Sequence, residues 1–175
     1  MKTSSKTILV AIGIVAIGAI VYRAVNTAPP ESMPADERIV KIFEDGGCAE
    51  CHTADPALPF FSNWPIARKV ITEDILNGYK AFDIIPMMEA IKNGEAINEV
   101  DLAKVEKAVM DGTMPLAKYA VIHWGSSLTR PKTDMVLAWI SDHRATFSPN
   151  QPAPAELATH AVPPVPAPLR VDPHT

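Results

Sequence analysis

Cys48 and Cys51 are the only cysteines in the 175-residue chain, and they stand three positions apart with His52 directly after them. That single pair constrains the fold more than any other feature. It rules out a disulfide framework as the main staple, so the folded part must hold together through an apolar core and through whatever the two thiols bind. The length suits one compact domain of roughly 100–150 residues.

The run Cys48-Ala49-Glu50-Cys51-His52 has the spacing of a c-type haem attachment site. Two thiols at this separation add to the two vinyl groups of one porphyrin, and the adjacent His52 falls beneath the iron as proximal ligand. A thioredoxin-like redox pair needs no histidine and sits at a strand–helix junction, which this sequence does not offer. A zinc site needs two further ligands of similar spacing, and no other cysteine is present. The expected cofactor is one covalent haem c.

The second axial ligand decides what such a haem does. Met114 stands out in Gly112-Thr113-Met114-Pro115. Gly112 permits a sharp turn, and Pro115 fixes the backbone just after the thioether. Met110 and Met135 fall within helical apolar patterns, where methionine is ordinary core filler. Met87 or Met88, His123 and an open site are the alternatives; His143, His160 and His174 rank lower.

Residues 1–28 read as a signal anchor. Lys2 and Lys6 precede an unbroken apolar or glycine run from Ile8 to Tyr22, which Arg23 closes. The run is shorter than the ~20 residues that span a bilayer, but flanking Lys6 and Arg23 can snorkel and extend it. Val25-Asn26-Thr27-Ala28-Pro29-Pro30 is a poor cleavage site, which favours an uncleaved single-pass anchor over a signal peptide. Either reading puts residues 30–175, with the haem domain at 29–147, outside the cytoplasm, in a periplasm-like compartment where c-type haem is attached.

The domain is expected to be all-α. Ala28 to Pro34 reads as a short spacer and Asp36 to Asp45 as a helix, with Gly46-Gly47 ending it. Ala54 to Asn63 reads as loop. Trp64-Pro65 opens a second helix, with Asn77-Gly78 as its stop; Pro86 opens a third, closed by Asn93-Gly94. Asn98 caps a fourth, with Asp101 three residues on and Leu102, Val105 and Val109 as its apolar face. Tyr119 to Trp124 reads as a helical turn. Thr129 caps the last helix, whose apolar body is Met135 to Ile140. Residues 148–175 are dominated by Pro and Ala and lack periodicity, as expected of a flexible tail. The net charge of −4 and the lack of a basic run argue against a nucleic-acid partner.

Beyond the haem motif, the chain contains Pro59-Phe60-Phe61, Asp74, Gly78, Phe82-Asp83, the helix Leu102 to Met110, Gly112-Thr113-Met114-Pro115, Tyr119, His123-Trp124 and Leu137-Ala138-Trp139. This pattern resembles a bacterial haem-binding domain family of cytochrome c type. The version most like it is the extra N-terminal haem domain of membrane-anchored three-haem cytochrome c peroxidases. The resemblance covers roughly residues 35–144. It implies a compact cytochrome c-type helical domain and His/Met ligation, which maps onto His52 and Met114. It also implies electron entry from redox partner proteins or a quinol-linked membrane complex. The peroxidases continue into two further haem domains, whereas this chain holds one C-x-x-C-H run. Peroxidase activity is therefore not carried over.

The expected role is a membrane-tethered electron carrier and not an enzyme. A small haem peroxidase, a haem-based sensor and the haem subunit of a respiratory complex are the alternatives. Glu50, Asp74, Asp83, Tyr119 and His123 are the polar groups that catalysis would recruit. Phe60, Phe61, Trp64, Tyr119 and Trp124 are candidate haem-pocket residues, with Trp139 as pocket or core. Tyr119, Trp124, Arg68 and Lys118 are candidates to hold a propionate.

Overall fold

The computed structural model describes residues 5–147; the Pro/Ala segment 148–175 lies outside the described residues. Seven α-helices follow in order: α1 (Ser5–Val25), α2 (Ala35–Asp45), α3 (Pro65–Ala81), α4 (Ile84–Asn93), α5 (Glu99–Met110), α6 (Ala117–Ile122) and α7 (Arg130–Phe147). Short 3₁₀ turns cover Cys48–Glu50, Phe60–Asn63 and Trp124–Ser126. No strand occurs among the described residues, as the all-α expectation requires.

The apolar run extends into a helix of 21 residues. At 1.5 Å per residue it is about 31 Å long, which matches the ~30 Å hydrocarbon core of a bilayer. Helix α1 is thus long and apolar enough to cross a membrane, and none of its residues is buried in the domain.

The core is built by four helices. Ile39, Val40, Ile42 and Phe43 of α2 meet Ile84, Met87, Met88 and Ile91 of α4, with Leu102, Val105 and Val109 of α5 and Val136, Trp139 and Ile140 of α7. Local chemistry sets the helix ends. The Asp83 carboxylate accepts from the Ile85 amide at 3.0 Å and starts α4 two residues before Pro86. Asn98 caps α5 by accepting from Val100 N at 2.8 Å. Asp101 does not complete a capping box; it lies 3.8 Å from Lys104 instead.

Three local expectations are corrected. Helix α3 does not stop at Asn77-Gly78 but runs through to Ala81. Gly78 is buried there because a Cβ would lie 2.4 Å from the Cys51 carbonyl oxygen; the glycine permits close approach and is no terminator. Met110 is exposed at the end of α5 and fills no core, whereas Met135 packs against the core as expected. The segment before Trp64 is not all loop but tightens into the turn Phe60–Asn63.

Helices α3 and α6 form a second, open half. Ile75 and Gly78 are the only buried residues of α3, and α6 buries none. Ile66, Val70, Leu76, Val121 and Ile122 all remain exposed. Burying an aliphatic side chain is worth about 1.5–3 kcal/mol. Ile66, Val121 and Ile122 are each more than 70 % exposed and forgo most of that gain. An open apolar half of this size is the signature of a surface shaped for another apolar body.

Candidate functional site

The Cys48–His52 segment lies between the two halves. Gly47, at φ +64°, makes the left-handed turn out of α2 that begins it. The turn is held on both sides. A Cβ on Gly47 would collide with the Tyr119 hydroxyl, and one on Gly78 with the backbone of Cys51. Two glycines therefore let α6 and α3 close directly onto the cysteine loop.

His52 is fixed by its own backbone and ring. Its carbonyl accepts from the Ile84 amide at 2.8 Å. Its Nδ1 faces the Phe82 carbonyl at 3.3 Å. A carbonyl can only accept, so Nδ1 carries the proton and Nε2 keeps its lone pair. This is the arrangement that orients a metal-bound imidazole. Burial holds the ring's pKa below the ordinary histidine value, which keeps Nε2 unprotonated at neutral pH.

The thiols do not have the character of a redox pair. Burial pushes Cys48 up to about 12. Burial first, and then the neighbouring Asp74 and Glu50 carboxylates, raise Cys51. A reactive dithiol needs the opposite, a lowered pKa. Among the described residues, no group of three or more His, Cys, Asp or Glu side chains is gathered to hold a metal ion, so the zinc reading lacks its remaining ligands.

Beside Cys51 is a cavity of about 150 Å³ lined by Glu50, Leu58, Pro59, Phe61, Val70, Ile71, Asp74, Lys118, Tyr119, Ile122 and His123, among others. Most of that lining is apolar, and several of the polar groups around it are already engaged. Lys118 donates to Asp74 at 2.7 Å, joining α6 to α3. Tyr119 stacks on His123 with ring centroids 3.9 Å apart. Burial, and next the Glu50 carboxylate, push the Tyr119 phenol well above its usual pKa. The His123 Nδ1 faces the Tyr119 carbonyl at 3.2 Å. Asp83 caps α4.

The other sequence candidates separate clearly. Met114 is exposed in the turn between α5 and α6, just after Gly112 at φ +61°. Met87 and Met88 are buried in the four-helix core, away from the open half. Phe61 and Tyr119 line the cavity; Phe60, Trp64 and Trp124 do not. Phe60 is 84 % exposed and packs edge-on against Phe61 and Trp64. Trp124 donates its indole N–H to the Val121 carbonyl at 3.1 Å. Trp139 is core, and its indole donates to Asp36 at 2.7 Å. Arg68 reaches Asn63 at 3.3 Å. The sequence reading found the left-handed turn at Gly46-Gly47 but missed the close approaches of Tyr119 to Gly47 and of Cys51 to Gly78, which carry no signal until the helices are in place.

The residues fit a haem: two thiols, an oriented imidazole with a free Nε2, and an apolar surface that needs covering. The profile of the haem-binding domain family matches residues 7–142, nearly all of the described chain. The chain belongs to this haem-binding family. It is also 28 % identical over 137 residues to a cytochrome c peroxidase of Escherichia coli K12. That alignment covers 78 % of this chain but only 30 % of the peroxidase, so the chain spans less than a third of its relative's length. No solved structure matches. The family's matched span includes most of α1, so the apolar helix and the haem-binding fold fall within one recognised unit.

Proposed function

We propose that this haem-binding protein is a membrane-held, monohaem c-type cytochrome that relays single electrons on the periplasmic side of the inner membrane. Cys48 and Cys51 hold one haem covalently, His52 is its proximal ligand and Met114 its distal one. When bound, such a haem would supply a one-electron couple. The protein's part is to hold and shield it. His52 is kept in one tautomer by the Phe82 carbonyl, and Val70, Ile71, Phe61 and Ile122 line the crevice with apolar surface that a porphyrin would cover.

The observation that carries this reading is the prior engagement of the polar groups. Asp74, Asp83 and His123 each face a hydrogen-bond partner already, and the Tyr119 ring stacks on His123. Peroxide cleavage needs an acid–base group free to act and an open iron position. The partners proposed are redox proteins or a quinol-linked membrane complex, which need only an exposed haem edge. The peroxidase named among the relatives motivates the competing reading, a haem enzyme. Visible spectra of the purified full chain, reduced with and without carbon monoxide, separate the two. A carrier gives a low-spin spectrum that carbon monoxide leaves unchanged, and it turns over no peroxide. Carbon monoxide binding together with rapid peroxide turnover refutes the proposal.

A further inference from the structure

The end of α1 is not a loose joint. Asn26, one residue beyond the helix, is buried and fully hydrogen-bonded. Its side-chain amide donates to the Tyr22 carbonyl at 2.9 Å and to the Trp124 carbonyl. Its Oδ1 accepts from the Ser127 amide at 3.1 Å. One turn back, the Tyr22 hydroxyl donates to Ser127 Oγ at 2.9 Å. The Thr129 hydroxyl, expected from the sequence to cap α7, instead reaches the Asn26 carbonyl at 3.5 Å. From the inside, Lys132 (1 % exposed) extends its ammonium to the Gly125 carbonyl at 3.5 Å. Residues 123–129 are thus gripped by the last turn of the apolar helix on one side and by α7 on the other. The supposed spacer 28–34 begins inside this grip, since Pro29 is buried as well.

At the start of the gripped loop and at the end of α6 just before it, apolar side chains stand in solvent. Val121 is 72 % exposed and Trp124 51 %, and the indole N–H bonded to the Val121 carbonyl brings the two residues together. The Trp124 carbonyl is held by Asn26, one residue beyond the end of α1. Tyr22 and Arg23 stand at the same end of α1. Tyrosine, tryptophan and arginine at one level are the residues that settle at a membrane–water interface.

We propose that the Val121–Trp124 face is a second membrane contact: it rests in the lipid headgroup region, and Asn26 is the clamp that holds the domain in that attitude. The occupant is the bilayer itself, because the face is continuous with the end of the spanning helix. Ile122, next to Val121, borders the crevice beside Cys51. The haem crevice is therefore held at the membrane surface and does not swing free on a tether. This inference rests on the anchored reading of α1.

The test uses the haem-loaded full chain in phosphatidylethanolamine–phosphatidylglycerol vesicles. A nitroxide is attached at Val121→Cys and, separately, at Ile66→Cys, which is exposed on α3. Accessibility to oxygen and to a water-soluble nickel chelate is read by power saturation. The unsubstituted chain, treated with the same reagent, reports any labelling of the native cysteines. The expected oxygen-to-nickel ratio is several-fold higher at 121 than at 66. In an Asn26→Ala background with an unaltered haem spectrum, the ratio at 121 falls to that at 66. A water-like ratio at 121 in a chain that resists alkaline extraction overturns the inference and leaves the anchor standing. Release of the chain by alkaline extraction refutes the anchor itself. A lipid-like ratio that survives Asn26→Ala refutes the clamp.

Discussion

Replacing Gly78 by alanine sets two physical effects against each other. Gly78 is in the interior of α3, where alanine is favoured over glycine by about 1 kcal/mol. Helix propensity alone therefore predicts a more stable protein. The structure predicts the reverse. The new Cβ would lie 2.4 Å from the Cys51 carbonyl oxygen and 2.9 Å from the carbonyl carbon, where ordinary contact begins near 3.4 Å. Both obstacles are backbone, so no rotamer change relieves them, and α3 must part from the cysteine loop by about 1 Å. Overpacking of this kind costs typically about 1–3 kcal/mol. A rigid backbone obstacle belongs at the upper end, leaving a net loss of about 2 kcal/mol. For a domain of this size that is roughly 8 °C in Tm. The assay is thermal unfolding of the detergent-solubilised full chain, followed at the Soret band and by far-UV circular dichroism. Asn77→Ala, at the exposed neighbouring position, serves as the propensity control and is expected to be neutral or slightly stabilising. A Gly78→Ala protein as stable as the parent refutes the close-approach argument.

Two further predictions concern the ends of α5 and α7. Arg144 forks onto Glu106 at 2.9 Å through both terminal nitrogens and donates through Nε to Glu99 at 2.8 Å; the Glu99 side chain is only 6 % exposed. Arg144→Met strands a buried carboxylate and is expected to cost about 3 kcal/mol in denaturant unfolding; a loss below about 1 kcal/mol contradicts that. His143 Nε2 accepts from the buried Ile97 amide at 3.2 Å, so it must be unprotonated. Burial lowers its folded pKa, outweighing the opposing pull of Asp36 and Glu99. The unfolded histidine then binds the proton first, so this contribution is complete above pH ~6.5 and is lost as pH falls below it. His143→Phe, which cannot titrate, is expected to flatten the stability–pH curve just below about pH 6.5; an unchanged slope refutes the assignment.

The parts that the sequence made legible are those governed by short-range rules. The Leu102–Val105–Val109 spacing found the buried face of α5, and Asn98 its cap, because both depend on neighbours a turn away. The haem motif was equally plain, since its two thiols and imidazole are contiguous. The reading failed where a distant segment decides. Gly78 looks like a stop until Cys51 is brought against it. Ile66 recurs at helical spacing with Val70, yet Ile66 is 83 % exposed, because no other described segment comes to cover it. Thr129 has the chemistry of a cap but is drawn to Asn26, more than 100 residues earlier. Asn26 itself, within a Pro-rich junction, has no local pattern that marks it as a structural rivet.

The claim that a His52/Met114 haem relays electrons is tested most directly at the distal position. Reduced spectra of the full chain and of Met114→Ala, each with and without carbon monoxide, suffice. The account predicts that the parent spectrum is unmoved by the gas. The variant should become partly high-spin and bind carbon monoxide while remaining folded by circular dichroism. A Met114→Ala protein with the parent's low-spin spectrum, still indifferent to carbon monoxide, would show that the iron takes its sixth ligand from elsewhere.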